Sequence, residues 1–148
     1  MRRLYLAGPI TGISYKEVME KRNNLKKDLE PEYFVVDPMR GKESLAEDLS
    51  LSSNYSGLHM DPLLGGHSIF RRDYTDLLSC DVVLGDFRGS KKISIGSVME
   101  LAWAYQKGIY VITVMEPGNM HEYAFMDEVA GVSYFFMQEA LHYLKYSY

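Results

Sequence analysis

Short apolar runs alternate with stretches of helical periodicity along the chain. Arg3 to Ala7 reads as a mostly apolar strand, followed by the turn Gly8-Pro9-Ile10-Thr11-Gly12. Tyr15 to Leu29 places Val18, Met19, Arg22, Leu25 and Leu29 near helical spacing and stops at Pro31. Tyr33-Phe34-Val35-Val36 is a second buried-type strand, ended by Asp37-Pro38. Gly41 to Gly66 is polar and read as a short helix near Lys42–Leu49, then a long loop, the kind that is often functional. Periodicity resumes from Ser68 to Ser79, and a third strand runs from Asp81 to Phe87. Ser94 to Lys107 is the clearest helix, closed by Gly108. Ile109–Met115 is a fourth strand. A short helix then ends at Ala130, Val132–Phe136 is a fifth strand, and Met137–Tyr146 is a last helix.

The strands are continuous apolar runs rather than alternating ones, which is the mark of a parallel sheet covered on both faces. The expected fold is therefore α/β: a doubly wound five-stranded parallel sheet, flavodoxin-like or Rossmann-like, with residues 1–148 as one domain. In such a sheet, ligands sit at the carboxyl ends of the strands. That selects the loops Gly8–Gly12, Asp37–Lys42, Asp86–Gly96 and Glu116–His121.

Composition narrows the function classes. A net charge of −4 and a pI near 5.5 argue against nucleic acid and anionic membranes as partners. A single cysteine, Cys80, fits a reducing compartment and reads as packing before a buried strand. No apolar run has the length of a membrane span, and the run behind Met1-Arg2-Arg3 is too short for a signal peptide, so a cytoplasmic setting is expected. The 12 tyrosines and 9 methionines suggest large apolar contacts of the kind found between subunits.

Candidate chemistry lies in three places. The first loop could let backbone approach a ligand, although a glycine turn after a strand is also plain turn chemistry. In Ser94-Ile95-Gly96-Ser97-Val98-Met99-Glu100, Gly96 permits close approach and Glu100 falls one turn inside the helix, beside the crevice. On spacing alone, Ser97-x-x-Glu100 reads rather as a capping box, with Glu100 serving only the backbone. Asp73 and Asp76 fit either a solvated helix face or carboxylate chemistry across a crevice. The four histidines (His59, His67, His121 and His142) have no metal-ligand spacing, and no metal or redox cofactor is implied.

Four stretches carry a resemblance that covers nearly the whole chain. They are Tyr5-Leu6-Ala7-Gly8-Pro9-Ile10-Thr11-Gly12, Arg72-Asp73-Tyr74-x-Asp76-Leu77, Ser79-Cys80-Asp81-Val82-Val83-Leu84 and Ser94-Ile95-Gly96-Ser97-x-x-Glu100-Leu101-Ala102. Together they resemble the nucleoside 2-deoxyribosyltransferases, in a form similar to those encoded by bacteriophages. The wider superfamily includes deoxynucleotide N-hydrolases. The resemblance implies a ping-pong exchange of the base of a 2′-deoxynucleoside through a covalent deoxyribosyl-glutamate, with no cofactor. It makes Glu100 the nucleophile, Asp73 the acid or base at the nucleobase, and Tyr5 the phenol that orients Glu100. Ala7, Gly8, Pro9, Ile10, Ser94 and Gly96 match positions that line the substrate pocket. Ser94 stands where the best-known transferases carry an aspartate, and where the hydrolases place a serine against a 5′-phosphate. Pro9 and Thr11 replace the serine and arginine of the hydrolases' first loop.

The transferases also insert an asparagine and a C-terminal carboxylate from a neighbouring subunit, which would correspond to Asn119 and Tyr148 of a homo-oligomer, at least a dimer. His121 is a further candidate for substrate contact, and residues 50–66 for base preference. The implied partners are a deoxynucleoside or deoxynucleotide and a free nucleobase. The alternatives are an N-glycosidase acting on deoxynucleosides or their 5′-monophosphates, and a nucleotide-binding module without catalysis.

Overall fold

The computed structural model describes residues 1–43 and 65–148. All but residues 42 and 43 of the expected helix over 42–49, and most of the following loop, including His59, therefore lie outside the described residues. The described elements are β1 (Arg2–Ala7), α1 (Tyr15–Leu29), β2 (Tyr33–Val36), α2 (Gly66–Leu78), β3 (Val82–Asp86), α3 (Ile95–Gln106), β4 (Tyr110–Val114), α4 (Ala124–Val129), β5 (Val132–Tyr134) and α5 (Met137–Tyr146). The five strands form one parallel sheet in the order β2-β1-β3-β4-β5. The order reverses between β1 and β3, which is where a doubly wound sheet opens a crevice at its carboxyl edge.

Alternation along β1 divides the core. Leu4 and Leu6 point to one face and join Leu25, Leu29, Ile112, Ala140 and Leu144 under α1 and α5. Tyr5 and Ala7 point to the other and join Leu77, Val83, Leu101, Ala104 and Met126 under α2, α3 and α4. Each fully buried leucine or valine in these layers contributes about 1.5–3 kcal/mol. Cys80 packs in the second layer, its thiol against the Asp76 carbonyl.

Three strands, β3, β4 and β5, are shorter than their apolar runs, β4 by one residue at each end. Asp81 lies just outside β3, yet its N–H donates to Arg3 O and its carboxylate accepts from Arg3 N, so the side chain completes the ladder. β5 stops at Tyr134 because Phe135 and Phe136 turn outward, and Phe136 becomes the N-cap of α5. α2 starts two residues before the expected Ser68, at Gly66.

The end of β1 runs unusually close to β3. A Cβ on Gly8 would lie 2.5 Å from Asp86 O, at a φ of +153°. Only glycine fits this approach, which brings the first loop against the crevice. No described helix is long and apolar enough to cross a membrane.

Candidate active site

The crevice between the ends of β1 and β3 holds a cavity of about 550 Å³, with Gly8, Ile10, Lys42, Asp73, Ser94 and Glu100 among its walls. Three different elements supply its carboxylates and the phenol that stands behind them. β1 places Tyr5 on the α2/α3 side, fully buried. α3 brings Glu100 over it, and α2 brings Asp73, buried, from the neighbouring turn.

The Tyr5 hydroxyl donates to Glu100 Oε1 at 2.7 Å. Burial pushes the Glu100 carboxyl up to about 7; the Tyr5 hydrogen bond and the cations Arg22 and Lys42 pull against it, and Asp73 adds to it. Burial likewise drives the Tyr5 phenol far upward, reinforced by the charges of Glu100 and Asp73, so Tyr5 stays protonated and acts only as a donor toward Glu100. Replacing Tyr5 by Phe should therefore move the acid limb of the pH–rate profile above 7. It should also cost about 1.5–3 kcal/mol of transition-state stabilisation, roughly a 10–100-fold loss of kcat. An unmoved acid limb in that variant would mean that Tyr5 does not set the ionisation of Glu100.

Glu100 is not a capping residue. Ser94 is the N-cap of α3: its hydroxyl accepts from Ser97 N and donates to Ser97 Oγ at 2.9 Å. Both serines are good caps, three residues apart, and the helix starts at the earlier one. This puts Glu100 in the second turn, where its carboxylate faces Tyr5 rather than the backbone.

The aspartates of α2 also separate. Asp76 pairs with Arg40 near the surface. Asp73 faces the cavity, with Arg72 Nε 3.4 Å from Oδ1 and Lys42 Nζ 3.8 Å from Oδ2. Burial raises the Asp73 carboxyl and lowers the Lys42 ammonium, while their mutual attraction opposes both shifts.

Gly8, Ile10, Ser94 and Gly96 line the cavity. Ala7 and Pro9 do not; with Gly8 they wall a smaller neighbouring cavity of about 220 Å³ beside Lys21, Asp86 and Arg88. Asp86 is neutralised there by Arg88, at 2.8 Å, and Lys21, at 3.2 Å.

Asn119 and His121 are both hydrogen-bonded within the chain. Asn119 is buried; its amide nitrogen donates to Phe87 O and Glu116 Oε1, and its oxygen accepts from His121 N and Nδ1. Both ends of the amide are thus engaged within the chain, tying the loop after β4 to the end of β3. His121 accepts from Ser94 N at Nε2, 2.8 Å. Both ring nitrogens are thus engaged, which assigns the neutral tautomer with the proton on Nδ1, and burial lowers the imidazole's affinity for a further proton. His121 holds the start of α3 and presents no free nitrogen to a substrate.

Tyr148 sits at the opposite edge of its own sheet. Its hydroxyl donates to Asp81 O, its ring stacks on Tyr110, and its carbonyl accepts from Arg2. Within one chain it is remote from Glu100.

Two residues of the site escaped sequence reading. Arg22 is visible only as a charged residue on an apolar stripe of α1. Lys42 belongs to no motif, and its burial comes from tertiary placement alone. Among the described residues, no three His, Cys, Asp or Glu side chains come together as metal ligands.

No protein-family model matches the sequence, and no curated protein matches it. Solved structures do share its fold. A 2-deoxyribosyltransferase from Bacillus psychrosaccharolyticus superposes with a TM-score of 0.67 at 16% identity, covering 95% of this chain and 91% of that one. A 2-deoxyribosyltransferase from Leishmania mexicana gives 0.64 at 14% identity over 100% of both chains. A CMP N-glycosidase from Clostridium botulinum gives 0.57 at 21% identity, covering 97% of this chain and 98% of that one. The chain has the fold of the nucleoside deoxyribosyltransferases, which the CMP N-glycosidase shares.

Proposed function

We propose that this chain is an enzyme that breaks the N-glycosidic bond of 2′-deoxynucleosides and passes the deoxyribosyl group to a second nucleobase. The observation that carries the reading is the buried Tyr5–Glu100 pair opening into a cavity that Asp73 faces from another helix. The fold's occurrence in two deoxyribosyltransferases and a CMP N-glycosidase supports it.

In the first half-reaction, a Glu100 carboxylate oxygen forms a bond to C1′ as the bond from C1′ to the base nitrogen breaks. The electron pair of that bond leaves with the base. The positive charge that builds on the sugar faces the carboxylate, whose other oxygen Tyr5 holds. Asp73 exchanges a proton or a hydrogen bond with the departing base. In the second half-reaction, an incoming base attacks C1′ and frees Glu100.

Exposed Ile95 and Met99 on α3, with Tyr123 and Phe125 at α4, suit this reading in a homo-oligomer. Salvage of deoxynucleosides in the cytoplasm is the corresponding cellular role. The capping-box assignment of Glu100, which favoured a binding module without catalysis, has lost its ground now that Ser94 is the cap.

A chromatographic assay tests the proposal. Deoxythymidine with adenine should yield deoxyadenosine, whereas deoxythymidine alone should not. Free base released from deoxynucleoside 5′-monophosphates without exchange would instead make the protein an N-glycosidase, with Ser94 at the cavity wall as the residue to examine for phosphate contact. Tight ligand binding with neither outcome over hours at high protein concentration would refute catalysis.

A further inference from the structure

Lys42 is one of the most buried charged residues described, at 2% exposure. It follows β2 and lines the same cavity as Glu100 and Asp73. Its ammonium stands 3.8 Å from Asp73 Oδ2, close enough for ion pairing but too far for a direct hydrogen bond. A ligand group in the cavity can meet both the cation and the carboxylate, and burial makes each worth more to that group than it would be in water.

The two sites of protonation that nucleobases offer differ in a way that matters here. A purine linked through N9 carries a basic ring nitrogen, N7, so an acid such as protonated Asp73 can let it depart as a neutral molecule. Uracil or thymine linked through N1 has no comparable nitrogen. It departs with the bonding electron pair spread from N1 onto its O2 and O4 oxygens, and needs a positive donor there.

We propose that Lys42 is the donor that receives pyrimidine leaving groups, its ammonium hydrogen-bonding the carbonyl oxygen that gathers negative charge as the C1′–N1 bond breaks. This rests on the glycosyl-transfer reading above and deepens it. As Glu100 bonds to C1′, the electron pair of the broken bond stays on the base. Lys42 stabilises that charge by its N–H and gives up a proton only if the base takes one. Asp73 and Lys42 thereby divide the leaving groups, with acid for purines and cation for pyrimidines.

The test compares wild type, Lys42→Met and Lys42→Arg on deoxyuridine and deoxyadenosine, each with a common acceptor base. Lys42→Met should lose about 100-fold in kcat/KM on deoxyuridine and about tenfold or less on deoxyadenosine; Lys42→Arg should recover most of the deoxyuridine loss. Equal losses on both substrates would overturn the proposal, since a purely structural lysine would harm both alike. Should Lys42→Met fail to fold, Lys42→Gln carries the same comparison. A second arm needs no turnover: calorimetric binding of 5-fluorouracil, an acidic pyrimidine, against adenine. Wild type should bind 5-fluorouracil at least about tenfold more tightly than Lys42→Met does, with a smaller change for adenine. Equal binding by both proteins, or none by either, would reject the Lys42 assignment. Wild type that binds the pyrimidine in this way but processes no nucleoside would instead defeat the glycosyl-transfer reading alone.

Discussion

Replacing Glu100 by glutamine should abolish turnover and make the protein more stable. The first effect follows from losing the nucleophile: an amide cannot form the ester at C1′, and a loss of at least about 10³-fold is expected. The second follows from burial. The Glu100 carboxyl is raised from an ordinary 4.5 to about 7, so the folded state holds its proton more tightly than the unfolded chain does. Between those two values the native protein carries more bound protons, and stability falls as pH rises. Above pH 7 the full cost is present, as much as roughly 3 kcal/mol at 1.36 kcal/mol per unit. Below about pH 4.5 it vanishes.

Glutamine keeps an oxygen for the Tyr5 hydroxyl to donate to and removes the charge. The variant should melt as much as roughly 6–12 °C above wild type at pH 8, with the difference closing toward pH 4.5. Differential scanning calorimetry across that range checks it; a variant that melts at or below the wild-type temperature at pH 8 would show that Glu100 carries no such burden. The same ionisation sets activity in the opposite sense. Turnover needs the carboxylate, so the rate should climb with pH through about 7. The pH range in which the site works is therefore the range in which it weakens the fold.

Arg22→Met should have the largest destabilising effect of any change discussed, about 3–5 kcal/mol. The Arg22 guanidinium is buried and forks three ways: Nη1 donates to Leu6 O at 3.1 Å and to Asp37 Oδ1 at 2.9 Å, and Nη2 donates to Gly8 O at 3.2 Å. Methionine fills similar space but leaves two carbonyls at the end of β1 and a buried carboxylate short of a donor. Burial pushes the Asp37 carboxyl up, but Arg22, Lys26 and the Met39 N–H together hold it below the usual range. It therefore stabilises the fold at neutral pH and loses that contribution as pH falls toward its folded value. Urea denaturation at pH 7 should show the full deficit, with a smaller one in acid. Lysine at this position should rescue little, because a single ammonium cannot span three acceptors. A variant within 1 kcal/mol of wild type would mean that the first loop is held without this fork.

These predictions draw on features of unequal legibility. β1, β3 and β4 were readable because they are buried on both faces and so appear as unbroken apolar runs; β2 and β5, at the sheet edges, are only partly buried but still read as short apolar runs, and α1 and α5 agree in their limits with the observed helices. The ends of β3 and β5 were not, since Asp81 and Phe136 leave the ladder through side-chain and capping contacts that have no apolar signature. Tyr5, Asp73 and Glu100 could be proposed from motifs, and the structure brings Tyr5 and Glu100 into contact. The choice between cap and reactive carboxylate for Glu100 depended on which of two serines starts α3, which spacing alone leaves open. The roles of Asn119 and His121 arise from contacts with Phe87 and Ser94, distant in sequence, and Lys42 is buried by its surroundings rather than by anything in its own neighbourhood of sequence.

The division of the core between the two faces of the sheet has a consequence for how this chain can diverge. Apart from Tyr33, whose hydroxyl donates to Leu144 O, the layer under α1 and α5 is mostly leucines, valines and an isoleucine that fill volume with apolar atoms. Such a layer accepts many combinations of similar total size. The opposite layer must satisfy packing and also aim a phenol and a carboxylate at each other. Substitutions are thus tolerated more readily on one side than on the other. For anyone wishing to stabilise the protein, the α1/α5 side is the place to repack, Arg22 excepted, because changes there leave the geometry around Glu100 alone.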